Sequence, residues 1–237
     1  MKMKMKMKTK TILFLSMLTI AIGFTACKKD SPDPVETVIT EEVLFLDAQA
    51  DSTWNTGTMG LMHTGPYTKF SFSEGGIVEG DNWDIAFRNS KILVNGGVGE
   101  SADTDQPNRT GQAAAYIIDA TMAEITSVDQ ASLMQDGGNN LSFYGTTAII
   151  DDQGQEGLGW SIYNPGNMSA VPPIWPSLEA ESGKILVFRT HDGNHYAKME
   201  ILNFYSDGWT SASPFPSYGG VYTFDYVYQS EEGNTAF

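Results

Sequence analysis

The 237-residue chain is predicted to be all-β. Short runs of apolar and β-prone residues are punctuated by glycine, asparagine, aspartate and proline, helical periodicity is poor throughout, and turn sequences join two pairs of runs. Candidate strands in chain order are residues 43–48, 68–73, 83–87, 91–94, 114–118, 141–150, 157–163, 184–190, 196–205 and 220–228. In the third of these, Trp83, Ile85 and Phe87 alternate with Asp84, Ala86 and Arg88, the period of a strand with one buried face; Gly96-Gly97 then end or bend the chain. Residues 141–150 and 157–163 flank Asp151-Asp152-Gln153-Gly154-Gln155, a turn composition that predicts an antiparallel hairpin. Residues 184–190 and 196–205 flank Asp192-Gly193, which supplies a second hairpin with a residue tolerant of positive φ. Residues 121–134 are the exception: Thr121 and Glu124 have the spacing of a capping box, so a short helix is expected there.

Lys2, Lys4, Lys6, Lys8 and Lys10 precede an apolar stretch over residues 11–26 that is too short for a comfortable membrane span and ends at Cys27. Residues 1–26 therefore read as a signal peptide. Phe24-Thr25-Ala26-Cys27 resembles the lipobox at which bacterial lipoproteins are cleaved and acylated, with Phe in place of the usual Leu, so Cys27 is the expected lipid-attachment residue. It is the only cysteine, which excludes an intramolecular disulfide. Residues 27–42 are polar and contain Pro32 and Pro34, the composition of a flexible tether. Residues 43–237 show no internal repeat and are enough for one domain with a substantial core. Cleavage after Ala26 removes five of the 14 basic residues and none of the 29 acidic ones, leaving a net charge of about −20. Such a balance disfavours nucleic acid and anionic lipid surfaces as partners, because both would repel it.

Two segments carry a resemblance to a known family. The first is Asn82-Trp83-Asp84-Ile85-Ala86-Phe87-Arg88, running into Val94-Asn95-Gly96-Gly97; the second is Lys184-Ile185-Leu186-Val187-Phe188-Arg189-Thr190-His191-Asp192-Gly193-Asn194-His195-Tyr196 and its continuation to Leu202. Over roughly residues 66–230 the chain resembles the HmuY family of haem-capturing bacterial lipoproteins. The resemblance implies a single hand-shaped all-β domain that grips its ligand between finger-like hairpins. It also implies haem b (iron protoporphyrin IX) as cofactor, no enzymatic activity, and host or environmental haemoproteins as haem source. A TonB-dependent outer-membrane receptor is the implied acceptor. The implied location is the outer membrane, lipid-anchored and facing the cell exterior, with shed or vesicle-borne forms and a homo-oligomer compatible with it.

Haem iron takes two axial ligands from opposite faces, so they come from separate segments. Met134 precedes the hairpin of residues 141–163 and Met168 follows it, at equal sequence distances from Asp151 in the turn, so both thioethers are expected at the hairpin's open end. Phe143, Tyr144, Trp160, Tyr163, Ile174 and Trp175 lie around them, large side chains suited to covering a porphyrin plane. The resemblance implies the same places: the founding type of the family uses two histidines, one in the loop before this hairpin and one after its Trp-containing return strand, and several relatives use methionines there. Met134 matches the first position, and Met168 the second after a small shift in the loop of residues 164–168. For any single methionine, core filler is the competing explanation. A thioether is a soft ligand, so ferrous iron should be favoured over ferric.

Three histidines are present. His63, beside Met59 and Met62, is the reserve iron ligand, and the same cluster admits a copper(I) reading. His191 and His195 have the spacing of a helical metal pair, but Asp192-Gly193 between them makes a turn and spoils that geometry. Residues 103–108 are expected to be a solvated acidic loop. The competing function is a surface carbohydrate-binding lipoprotein, motivated by Trp175, Trp209, Tyr218 and Tyr222 among Gly, Ser and Asn. A hydrolase using an acidic pair has no specific motif behind it.

Overall fold

Period-two alternation decides where the core forms, and in this fold it does so on both faces of the central strands. The computed structural model describes residues 37–55, 60–99, 103–137, 159–206 and 219–237; residues 36–237 form one compact unit. The strands are β1 (Val38–Asp47), β2 (Asp51–Asn55), β3 (Gly60–Thr64), β4 (Thr68–Ser71), β5 (Gly76–Ile77), β6 (Ile85–Arg88), β7 (Lys91–Val94), β8 (Ala114–Asp119), β9 (Ser161–Asn164), β10 (Ser177–Ala180), β11 (Lys184–Arg189), β12 (Tyr196–Tyr205) and β13 (Gly219–Gln229). A five-stranded sheet runs β1-β13-β12-β11-β8 and a four-stranded sheet β5-β4-β6-β7, with β2-β3 and β9-β10 as two-stranded ribbons. All of these pairings are antiparallel, and no helix occurs among the described residues.

The main core is built from facing side chains of the two larger sheets: Phe70, Ile85, Phe87, Ile92 and Val94 against Leu186, Phe188, Tyr222, Phe224 and Tyr226. Aromatic rings interlock there, Phe70 with Phe224 at 5.5 Å, Phe72 with Phe188 at 5.2 Å and Phe87 with Tyr222 at 4.8 Å between centroids. Such pairs add to area burial about 0.5–1.5 kcal/mol each. The opposite face of the four-stranded sheet is also covered: Trp83, Ala86 and Leu93 pack with Tyr67. The alternation of residues 83–87 therefore fills two cores, with Ile85 and Phe87 on one side and Trp83 and Ala86 on the other, where one buried face was expected. The same holds for β11. Leu186 and Phe188 face the main core, while Ile185 and Val187 meet Ile125, Val128 and Tyr196. That is why residues 185–188 read as an unbroken apolar run.

Residues 121–134 do not form the expected helix. The capping contacts are present, since Glu124 Oε2 accepts from Thr121 N and Oγ1, both at 2.8 Å. The turn stops because its backbone polar groups are taken elsewhere: Lys198 Nζ donates to the carbonyls of Met122 (2.8 Å) and Ile125 (2.7 Å), and Val128 N donates to the Thr235 carbonyl at 2.9 Å. β1 takes in Val38–Glu42, which the sequence reading gave to the tether, because those residues pair with residues 225–229 of β13. Between Val43 and Leu46 the β1 ladder breaks register, and Phe45 has a φ of 57°.

Candidate functional site

The backbone of Met134 is fixed by reciprocal hydrogen bonds with Ala115 of β8, 2.9 Å and 3.1 Å. Residues 121–133 leave β8 and fold back beside it, held by Lys198 and by residues 235–237; Phe237 N donates to the Thr126 carbonyl at 3.0 Å. Between strand and returning loop lies an open groove of about 520 Å³. Tyr116, Ile117 and Ile118 form one wall, Ile125, Ser127 and Ser132 belong to the other, and Met134 is part of its lining. The Met134 side chain is 43% exposed. Its lining mixes apolar side chains with the hydroxyls of Ser127 and Ser132 and the carboxylates of Glu124 and Asp129.

Met168 lies elsewhere, in the connection between β9 and β10. Asn167 and Ile174 exchange backbone hydrogen bonds of 2.7 and 3.0 Å, which pinch that connection so that Met168 and Val171 sit in its tip. Met168 and Tyr163 are each 53% exposed, and Val171 and Ile174 are exposed as well. The ribbon thus carries four exposed apolar side chains. The observed ribbon pairs residues 161–164 with 177–180. The partner strand expected at 141–150, the turn at 151–155 and Phe143 lie outside the described residues, as does Cys27.

Trp160 is in a different setting from the one expected. It is 1% exposed in the main core, against Phe204 and Tyr222, with its Nε1 donating to the Ser90 carbonyl at 3.3 Å. It roots the ribbon and does not face an opening. Trp160→Phe should therefore lower stability by about 1–2 kcal/mol in chemical denaturation and leave ligand binding unchanged. Tyr222, offered for sugar stacking, is fully buried with its hydroxyl on the Asn89 carbonyl at 2.6 Å, and Trp175 is packed against the same core. Trp209 and Tyr218 lie outside the described residues.

Each of the three histidines has a polar partner. His191 donates from its backbone N to Asp84 Oδ1 at 2.8 Å, and its Nδ1 lies 2.8 Å from the same oxygen. Asp84 Oδ2 accepts from Phe72 N at 2.8 Å. The two segments that carried the family resemblance are thus tied to each other through one buried carboxylate, and its hydrogen bond holds His191 above its ordinary pKa. His195 is paired with Asp192 at 2.6 Å. His63 sits near the β6–β7 turn, 2.7 Å from Asn89 Nδ2; burial, with Arg88 and Lys91 nearby, pushes its pKa down. Asp103 is no solvated residue. Burial raises its pKa, but the Arg88 guanidinium, the Tyr67 hydroxyl and Lys91 outweigh this and hold it at about 2.

Together these features define an all-antiparallel β protein with an open cleft at one sheet edge and an apolar ribbon presenting thioether and phenol side chains to solvent. The chain belongs to the HmuY family, whose profile, HmuY protein, matches residues 64–218. That family is a haem-binding one. Solved structures similar to this chain include a candidate lipoprotein of Bacteroides fragilis (16% identity, 84% of this chain and 93% of that one, TM-score 0.38). Others are an apo HmuY analogue of Tannerella forsythia (15%, 84% and 100%, TM-score 0.42) and a candidate HmuY-like haem-binding protein of Bacteroides vulgatus (17%, 84% and 96%, TM-score 0.35). No curated protein matches the chain.

Proposed function

We propose that this chain is a haem-binding outer-membrane lipoprotein, anchored through Cys27 on the outer face of the cell, that captures haem and delivers it to a TonB-dependent receptor. Met134 and Met168 are the proposed iron ligands, with Tyr163 on the same ribbon as the second. The observation that carries the reading is the position of Met134: a residue picked out by its match to the family's ligand position lines a cleft of about 520 Å³. The residues fit the group chemically. Two accessible thioethers suit the iron of a haem, and Tyr116, Ile118 and Ile125 offer an apolar bed for a macrocycle. When bound, the haem would supply an iron centre to be held by the Met134 and Met168 thioethers.

Methionine does not titrate, so binding should vary little between about pH 5 and 8; a sharp loss near pH 6 would point to His63 in place of a thioether. Titrating the protein with haemin before and after reduction tests the whole proposal. A Soret shift, with tighter binding and narrow visible bands on reduction, supports it, and a flat difference spectrum in both states rejects it.

A further inference from the structure

We infer that Asp136, clamped by Arg109, is the positioning residue for the Met134 thioether, and that Gly96-Gly97 are glycines because this seat needs the space. The inference rests on the proposed role of Met134 as an iron ligand.

Asp136 lies two residues beyond Met134 with its carboxylate fully buried, and Arg109 beside it is 3% exposed. Asp136 Oδ2 accepts from Arg109 Nη2 at 2.9 Å, from Arg109 Nε at 3.2 Å and from Val94 N, at the end of β7, at 3.0 Å. Arg109 is steadied in turn by Gln106, whose Oε1 accepts from Nη1 at 2.9 Å. The Asp136 carbonyl accepts from Val98 N at 3.0 Å, and Asp136 bridges Gly97 in parallel. Residues 134–136 are therefore fastened to β8 on one side and to the end of β7 and the corner after it on the other.

That corner is the Val94-Asn95-Gly96-Gly97 motif. A Cβ on Gly97 would overlap the Asp136 carbonyl, and a Cβ on Gly96 would overlap the Ala113 carbonyl. Asn95 completes the corner, donating to the Asp81 and Trp83 carbonyls and accepting from Thr110 N and Gly111 N. A buried ion pair is a poor source of net stability, because desolvation offsets its attraction. What it supplies here is placement. A weak thioether ligand depends on arriving pre-oriented, since every rotor immobilised on binding subtracts from affinity. With its backbone seated, Met134 has only its own side-chain torsions left to fix.

Asp136→Asn and Arg109→Gln in the mature chain, titrated with haemin alongside thermal unfolding, test the inference. Both should remain folded at 25 °C with lowered Tm, bind haem about 10-fold more weakly, and show a growing high-spin, five-coordinate fraction. Gln106→Ala, which removes only the outer brace, should weaken binding about 2-fold and keeps the test open if the buried variants fail to fold. Folded variants with wild-type affinity and spin state overturn the inference. Met134→Ala separates this from the underlying reading: if it changes the spectrum while Asp136→Asn does not, only the seat is wrong; if neither does, Met134 is not a ligand.

Discussion

Replacing Met134 and Met168 together by alanine is expected to abolish six-coordinate haem and to weaken binding by at least about 100-fold, which is about 2.7 kcal/mol. Both side chains are substantially exposed, so truncation removes donor atoms without opening a core cavity, and the thermal stability of the apoprotein should stay within about 0.5 kcal/mol of wild type. Each single variant should retain one axial ligand and give a five-coordinate, high-spin spectrum. Visible absorption and electron paramagnetic resonance of the three variants check this. A double variant with the wild-type spectrum eliminates thioether ligation.

Asp84→Ala is expected to cost about 3–5 kcal/mol of folding stability, measured by urea denaturation, with the apolar cores otherwise intact. The buried carboxylate satisfies Phe72 N and both the backbone N and the ring of His191, so its removal orphans donors on two sheets at once. The pH profile carries the same signature. Because Asp84 raises the folded-state pKa of His191 above the unfolded value of about 6.5, the stabilisation is fully present below that pH and is lost as pH rises through the folded value. Asp84→Ala should remove this slope. A variant that keeps both the slope and the stability would show that the clasp is not closed in solution. Asp103 and Asp192 act oppositely, since each is held at about 2, and their contribution disappears as pH falls from about 4 towards 2.

Strands with strong β-prone patterning were legible in the sequence: β11 and β12 around Asp192-Gly193, and β6 and β7 before the glycine pair. β10 was not, because Ser177-Leu178-Glu179-Ala180 follows a proline and is half-polar, and its strand character comes from pairing with β9. The setting of Trp160 was not legible for a related reason. Composition marks an indole as suited to a ligand plane, whereas its side chain is turned inward by the root of the β9–β10 ribbon. The groove beside β8 could not be read locally at all, since its second wall is held by Lys198 and residues 235–237, contacts between segments far apart in sequence. The resemblance led to Met134, but the glycine pair has its reason only in the folded chain, where Asp136 passes over Gly97 and the Ala113 carbonyl over Gly96.

β1 is the outer strand of the five-stranded sheet and carries exposed Ile39, Leu44 and Phe45. An exposed sheet edge bearing apolar side chains is a general template for pairing with another strand. The register break between Val43 and Leu46 interrupts any ladder that a second copy could extend, and the exposed Glu41 and Glu42 put charge beside it. The irregularity in β1 thereby leaves the sheet with an edge that is a poor template for another strand.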